Sequence, residues 1–230
     1  MRKIFSNMTL IFLLFTYLSG NAQISPPDFV RIKEEIIDVN SRFYYPPLYQ
    51  RYLNNDTTLT VDEYMFIYYG HIFHYNYNPF YVSPYADSMD AYLKKENLSR
   101  NDFQMIVKYG KKVLNENPFS IKHMNYLGYA YTNIGNSKMA KLMAFKSNML
   151  VTTIFRTGDG LSEETAWWIV FVSHEYDILK TLRFEFAGVH QLTKNKCHYL
   201  SIKPNDGGLK GVFYNVSKII EFEEEKKKGK

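Results

Sequence analysis

The sequence has little cysteine and little excess charge, and both shortages exclude classes of protein. Cys197 is the single cysteine in 230 residues, so no disulfide can form within the chain and packing alone must hold the fold. Its position in a predicted strand favours a buried, inert thiol over one that pairs with a partner protein. The formal net charge of +5 is too small to predict a nucleic-acid partner.

The chain also lacks the motifs of common enzyme classes. It contains no glycine-rich phosphate loop. The segment "HEYDI" begins like a zinc-protease motif, but Ile178 stands where the second histidine belongs. The segment "GLSEE" begins like a hydrolase elbow, but Glu164 replaces the second glycine. We therefore predict no catalytic residue and no cofactor.

The most apolar run of the sequence lies in the first 22 residues, which have the features of an export signal. This run, from Met8 to Leu18, follows two basic residues, and small residues stand at Gly20 and Ala22. A membrane-spanning helix needs about 20 apolar residues, so the run is too short to be one. We predict cleavage between Ala22 and Gln23, a periplasmic or secreted mature chain, and no transmembrane segment in that mature chain.

Capping residues mark three helix starts in the first half of the chain. In "SPPDFVRIKEEIIDV" we assign Ser25 as the N-cap, followed by a proline in the first turn and by apolar residues at helical spacing. Thr60 with Glu63, and Ser99 with Asp102, form capping-box patterns at two further starts. The helix after Ser99 is predicted to stop before the proline of "NENP".

A helix pair from Ile121 to Leu150 carries part of the tetratricopeptide-repeat pattern. Five residues fall where that repeat places the same types: Leu127, Gly128, Tyr131, Gly135 and Ala140. Small residues at such positions let two helices approach closely, so we expect Gly128 to lie at a helix–helix contact. The pattern covers about one and a half repeats, whereas a solenoid needs roughly three. These helices are therefore predicted to pack against another element.

The last third of the chain predicts a small, mainly antiparallel sheet of four strands. Residues 165–173, "TAWWIVFVS", are apolar on both faces, which is typical of a central buried strand. A short helix follows in "HEYDILKTL", and then "RFEFAGVHQL" alternates as a strand does. Two more strands flank "NDGG", a strong hairpin signal. The sequence thus predicts an α+β fold in which a tetratricopeptide-like helical region packs on this sheet.

The order of these segments is similar to that of an uncharacterised family. The segments "YYGHIFHYNYNPF", "NENP", "IVFVSHEYDIL", "NKCHYLSI" and "LKGVFYNVSKI" resemble bacterial exported proteins grouped as domain-of-unknown-function family 4919. The resemblance spans about residues 26–222. It implies a periplasmic or secreted setting and no activity. We divide the chain into a signal peptide at 1–22, a helical region at 23–157 and a sheet region at 158–230, the last two forming one compact unit.

Twelve of the 20 tyrosines lie between Tyr44 and Tyr92, and a His-x-x-His pair lies among them. His71 and His74 would share a helix face, but a zinc site needs a third ligand, and the acids nearest in sequence are Asp62, Glu63 and Asp87. We therefore predict no metal site there. A tyrosine ring packs while its hydroxyl stays wet, which suits a binding surface as well as the edge of a core. The ligand or partner surface is predicted to contain Tyr68, His71, His74, Tyr75, Tyr77 and Tyr81.

The same segment is expected to be chiefly a structural wall of aromatic side chains. The helix that starts at Thr60 should carry Tyr64, Ile67, Tyr68 and His71 along adjoining turns. Asn78-Pro79 should end any helical continuation, because the residue before a proline disfavours helical geometry. Phe66, Phe73 and Phe80 are expected to fill space against neighbouring helices. Further along the chain, Glu175 and Asp177 are interpreted as a helix cap and a surface charge.

Three functions are compatible with these features. The first is an exported, non-catalytic module that binds a protein or peptide partner in the cell envelope. The second is glycan or small-molecule binding by the tyrosine-rich segment 64–92. The third is an enzyme of unrecognised type that uses His71, His74 and the acids around Glu175. A pocket in which polar side chains converge would favour the second or third, and a shallow groove would favour the first.

Overall fold

The computed structural model describes residues 24–229, an α+β fold in which helices precede a small sheet. Nine α-helices lie in the described residues: α1 (Phe29–Ile37), α2 (Tyr45–Leu53), α3 (Val61–Gly70), α4 (Ala86–Leu93), α5 (Arg100–Glu116), α6 (Ile121–Asn133), α7 (Ser137–Phe155), α8 (Ser173–Thr181) and α9 (Ser217–Lys228). The four strands in the same range are β1 (Trp167–Trp168), β2 (Phe186–Leu192), β3 (Cys197–Ile202) and β4 (Gly211–Asn215). The predicted signal peptide and its cleavage point lie outside the described residues.

Capping residues start the helices largely as predicted. The Thr60 hydroxyl accepts from the Glu63 backbone N–H, and the Glu63 carboxylate accepts from the Thr60 N–H, so both halves of the capping box form before α3. Ser99 and Asp102 do the same before α5. The N-cap of α1 is Asp28 and not Ser25, because the Asp28 side chain accepts from the Arg31 N–H. That prediction was therefore wrong by three residues.

The predicted helix pair is present as α6 and α7, which pack closely against each other. A Cβ placed on Gly128 would lie 3.6 Å from the Met143 Cβ, so Gly128 does face the neighbouring helix. Gly110 on α5 is more crowded, since a Cβ there would lie 2.8 Å from the Leu127 Cγ. Three successive helices thus stack through glycine contacts, while the resemblance to a tetratricopeptide repeat stays a prediction.

The sheet has the strand order β1-β4-β3-β2. Strands β2, β3 and β4 are antiparallel neighbours, as the hairpin signals predicted, whereas β1 runs parallel to β4. The prediction of a central strand over residues 165–173 was wrong, because β1 spans two residues at the edge of the sheet. The apolar segment is nevertheless buried: Ile169, Val170 and Phe171 pack in the core as irregular chain before α8 begins at Ser173.

One hydrophobic core joins the helices to the sheet. Its cluster of buried side chains includes Tyr68 of α3, Leu150 of α7, Trp167 of β1 and Leu200 of β3. Cys197 is buried in β3, as predicted, and burial raises the pKa of its thiol to about 11. Within residues 24–229 we find no helix that combines the length and the apolar character needed to cross a bilayer.

The aromatic wall is built from different rings than expected. Helix α3 ends at Gly70 and is followed by a single 3-10 turn, His71–Phe73, so it stops well before Asn78-Pro79. Phe66 is buried and stacks on Phe43 with ring centroids 3.7 Å apart. Phe73 and Phe80 are exposed, so the expectation that they fill the core was wrong. Both residues follow the end of α3 at Gly70, so neither ring is carried on a face of that helix.

Candidate functional site

The tyrosine-rich segment contributes both buried and exposed side chains, and the buried ones hold neighbouring elements together. Tyr68 lies at the centre of a hydrogen-bond chain: its hydroxyl accepts from the Val170 N–H and contacts the His174 Nδ1 at 2.7 Å. The His174 Nε2 lies 3.0 Å from the Phe119 carbonyl oxygen. A carbonyl can only accept, so Nε2 carries the proton and Tyr68 donates to Nδ1.

His71 and Tyr77 are also buried. The Tyr45 hydroxyl lies 2.8 Å from the His71 Nδ1, and the Tyr77 hydroxyl donates to the Val170 carbonyl over 2.7 Å. Burial, followed by the nearby His74, lowers the pKa of His71 to about 3, so its imidazole is neutral near pH 7. These contacts hold the rings of His71 and Tyr77 in the core.

The remaining members of the predicted surface face solvent or lie at its edge. Tyr75 is 89% exposed and has no hydrogen bond among the described residues. His74 is half-buried, and its ring lies over that of His71 with centroids 5.1 Å apart. Tyr81 is partly exposed and donates to a carboxylate oxygen of Glu116 over 3.0 Å. The six predicted residues therefore do not form one continuous surface.

A cleft of about 390 Å³ opens where the segment meets the end of α5. Its lining combines amide, carboxylate, imidazole and aromatic groups: His71, Asn76, Asn78, Tyr81, Asn115, Glu116, Asn117, Pro118 and Phe171. Two of the six predicted residues, His71 and Tyr81, are in this lining. The asparagines were not predicted, although "YNYNP" and "NENP" place four of them in two short segments that each end in a proline.

The side-chain amides of the four asparagines in the cleft differ in whether they form hydrogen bonds within the protein. The Asn78 Oδ1 accepts from the Phe80 N–H at 3.1 Å, and the Asn117 Oδ1 accepts from the Phe119 N–H at 3.3 Å. Within residues 24–229 the side-chain amides of Asn76 and Asn115 make no hydrogen bond. Two amides thus shape the loops, and two are available to a ligand.

The acids of α8 do not lie where the sequence suggested. Glu175 is fully buried and Asp177 nearly so, so the interpretation of one as a surface charge was wrong. The Asp177 carboxylate accepts from the Lys122 N–H and thereby caps α6 from another helix. Glu175 contacts His190 and His198 of the sheet, two histidines that the sequence did not single out.

This arrangement separates the groups that the enzyme hypothesis would have joined. The carboxylate of Glu175 contacts His190 and His198, whereas the Nδ1 of His71 contacts the Tyr45 hydroxyl, and among the described residues no hydrogen bond or ion pair joins the two groups. Among the described residues, His71 and His74 are not accompanied by a third group that could complete a metal site. The site defined by the geometry is instead a polar cleft on the helical side of an α+β protein.

A comparison with protein families shows to which family the chain belongs. Residues 30–225 match the model of a family described as Domain of unknown function (DUF4919), so the chain belongs to that family. A search of curated proteins and a search of solved structures found no match. The family assignment agrees with the resemblance drawn from the motifs and brings no activity with it.

Proposed function

We propose that this protein is an exported, non-catalytic binding module whose cleft holds a small polar ligand of the saccharide class. The observation that carries the proposal is the presence of four asparagines in the lining of one cleft, with Tyr81 and Phe171 beside them; the side-chain amides of two of them, Asn76 and Asn115, make no hydrogen bond within residues 24–229. Amides both donate and accept hydrogen bonds, and this matches the hydroxyl groups of a sugar ring. The ring of Tyr81, which is 38% exposed, supplies the apolar contact for a ring face.

The charge and size of the cleft support the same ligand class. His71 is neutral near pH 7 because burial lowers the pKa of its imidazole to about 3. The Glu116 carboxylate accepts from the hydroxyls of Tyr81 and Ser83, and its oxygens are acceptors that a sugar hydroxyl can also use. The volume of about 390 Å³ falls at the lower end of the range of roughly 300–1,000 Å³ that is usual for ligand pockets. A neutral, hydroxyl-rich ligand of a few rings at most fits these properties.

The test uses Asn76 and Asn115, whose side-chain amides make no hydrogen bond among the described residues. Asn76→Ala and Asn115→Ala are expected to weaken binding of the best ligand from a panel of neutral mono- to tetrasaccharides about three- to tenfold each, the usual worth of one hydrogen bond. Isothermal titration calorimetry measures the affinity, and thermal melting checks that both variants fold normally. Asn101→Ala is the matched control, since Asn101 is exposed near the other end of α5.

Two results would contradict the saccharide proposal. One is that no member of the panel binds the unaltered protein. The other is that binding is detected but falls equally in Asn101→Ala, because that loss would have no connection with the cleft.

A protein or peptide partner in the cell envelope is the second candidate. Four apolar side chains that are close in sequence to cleft-lining residues are exposed, namely Phe73, Tyr75, Phe80 and Val82, and exposed apolar groups that form a patch often mark protein interaction sites. A pull-down from the envelope of the producing cell, with wild type and a Tyr75→Ser/Val82→Ser double variant, tests this candidate. A partner captured by both proteins to the same extent would show that this surface is not its binding site.

The export part of the proposal rests on the first 22 residues. The basic start, the short apolar run and the small residues before Gln23 support signal-peptide cleavage. Mass spectrometry of the protein from the periplasm or medium is expected to show an N-terminus at Gln23. An intact start at Met1 would contradict export by this route.

A further inference from the structure

A second group of ligating side chains lies outside the cleft, between α8 and the sheet. Glu175 stands in the first turn of α8, His190 on β2 and His198 on β3. Opposite residues in antiparallel strands share a face, and the pairs His190–Leu200 and Leu192–His198 put both histidines on the same face of the sheet. Helix α8 brings the Glu175 carboxylate to that face.

The three side chains converge at contact distance. The Glu175 Oε1 lies 2.5 Å from the His198 Nδ1, and the Glu175 Oε2 lies 3.3 Å from the His190 Nε2. The two imidazole rings meet edge to face with centroids 4.5 Å apart. One potential ligand atom from each of the three residues lies within 4.8 Å of the others, and no other such group of three occurs in residues 24–229.

The buried carboxylate provides a second, independent observation. Glu175 has no exposed surface, and its Oε2 has no hydrogen-bond partner among the described residues, since the contact to His190 is not aligned as a hydrogen bond. A charged oxygen buried without a partner is costly. The side chains of His190 and His198 are 32% and 21% exposed, so the group is closed at the carboxylate and open to solvent at the imidazoles.

From this geometry we infer that Glu175, His190 and His198 form a site for a divalent transition-metal ion, with zinc as the best fit. Two imidazole nitrogens and one carboxylate oxygen are ligands that Zn²⁺ prefers, whereas Ca²⁺ and Mg²⁺ select oxygen ligands. The ion satisfies the unpartnered Oε2. Three protein ligands leave a fourth position to water on the solvent side.

Only a small movement completes the coordination. Zinc–ligand bonds of about 2.0–2.2 Å place neighbouring ligand atoms about 3.3–3.5 Å apart in a tetrahedral site. The atoms here lie within 4.8 Å of one another, so a shift on the order of 1 Å brings them together. Rotation of the two partly exposed imidazoles supplies that shift, while the buried Glu175 stays in place.

The experiment titrates the chelator-treated protein with zinc by calorimetry and with cobalt by visible absorption. We expect one ion per chain and a cobalt spectrum with the intense bands of a four- or five-coordinate site. Glu175→Gln, His190→Ala and His198→Ala should each weaken zinc binding about tenfold or more. The control is His74→Gln, which removes a partly buried histidine from the other histidine pair and should leave the affinity unchanged.

Circular dichroism identifies any variant that fails to fold. If Glu175→Gln does not fold, the two histidine variants decide the question, because their side chains are partly exposed. The inference is overturned if the unaltered protein binds neither ion, in which case Glu175 and His198 form a hydrogen-bonded pair only. It is also overturned if zinc binds equally well to the folded variants, or if binding is lost in His74→Gln.

Discussion

Hydrogen bonds between side chains far apart in sequence define the aromatic region at the level of single residues. Tyr68 and His174 are 106 positions apart, yet the Tyr68 hydroxyl and the His174 imidazole form a continuous chain of donors and acceptors from Val170 to Phe119. Burial lowers the pKa of His174 to about 4, so the ring stays neutral and keeps one donor and one acceptor. Each polar atom in this chain therefore has a partner.

The chain of hydrogen bonds predicts a large effect from removing one oxygen atom. Tyr68→Phe leaves the Val170 N–H and the His174 Nδ1 buried without a partner, which should lower the free energy of unfolding by about 2–3 kcal/mol. Urea unfolding followed by fluorescence measures the change. Tyr75→Phe is the control, because that hydroxyl is exposed and makes no bond among the described residues, and it should change stability by less than about 0.5 kcal/mol. Equal stability of the two variants would refute the network.

The residues of the candidate site show what local sequence can and cannot reveal. The pair His71 and His74 is visible in the sequence because its members are three positions apart, but the sequence does not show that only His71 is buried. Tyr45, the hydrogen-bond partner of His71, is 26 positions away, and no local pattern in the sequence points to it. The contact of Glu175 with His190 and His198 depends on how α8 crosses the sheet, so spacing along the chain gives no sign of it.

At the level of helices and strands, the sequence motifs predicted the structure correctly where interactions between neighbouring residues determine it. Capping boxes start α3 and α5 as predicted because each satisfies its own helix end. The hairpin of β3 and β4 formed around "NDGG" because a turn, like a helix cap, depends on residues that are adjacent in sequence. Residues 165–173 were different: an apolar run predicts burial, but burial in this segment comes from packing among helices, with the chain pairing only at Trp167 and Trp168.

Two glycines in the stacked helices predict opposite responses to the same substitution. A Cβ on Gly110 would lie 2.8 Å from the Leu127 Cγ, in a buried contact, so Gly110→Ala should destabilise the protein by about 1–3 kcal/mol. A Cβ on Gly128 would meet only ordinary contacts of 3.6 Å or more. Gly128→Ala should therefore be neutral or stabilising by up to about 1 kcal/mol, because alanine favours a helix.

Thermal melting of the two alanine variants, with Gly128→Leu as a third, tests this packing. The leucine should overpack the contact between α6 and α7 and cost about 1–3 kcal/mol. If Gly110→Ala melts at or above the wild-type temperature, α5 and α6 are not as close as the structure describes. If Gly128→Leu leaves the melting temperature unchanged, the predicted helix contact at Gly128 is wrong.

At the level of the whole molecule, burial of ionisable side chains makes stability depend on pH. Burial is the largest cause of lowered pKa values at His71, about 3, and at His123 and His174, about 4 each. The unfolded chain binds these protons near pH 6.5, so below that value it holds more protons than the folded chain and stability falls. Burial raises the pKa of Asp177 to about 6, and this group opposes the trend between pH 4 and 6.

The balance of these groups predicts acid destabilisation. Between pH 6 and pH 4, the three histidines make the unfolded chain bind about three more protons than the folded chain, and Asp177 reduces this difference to about two. Two protons correspond to a loss of about 2.7 kcal/mol in the free energy of unfolding per pH unit. Urea unfolding at half-unit steps from pH 7 to pH 4 measures the slope. His123→Gln should reduce it by about 1.4 kcal/mol per unit, and Asp177→Asn should increase it by a similar amount below pH 6. A slope that neither substitution changes would show that these side chains are solvated, and the tightly packed core that the structure describes around them would then be incorrect.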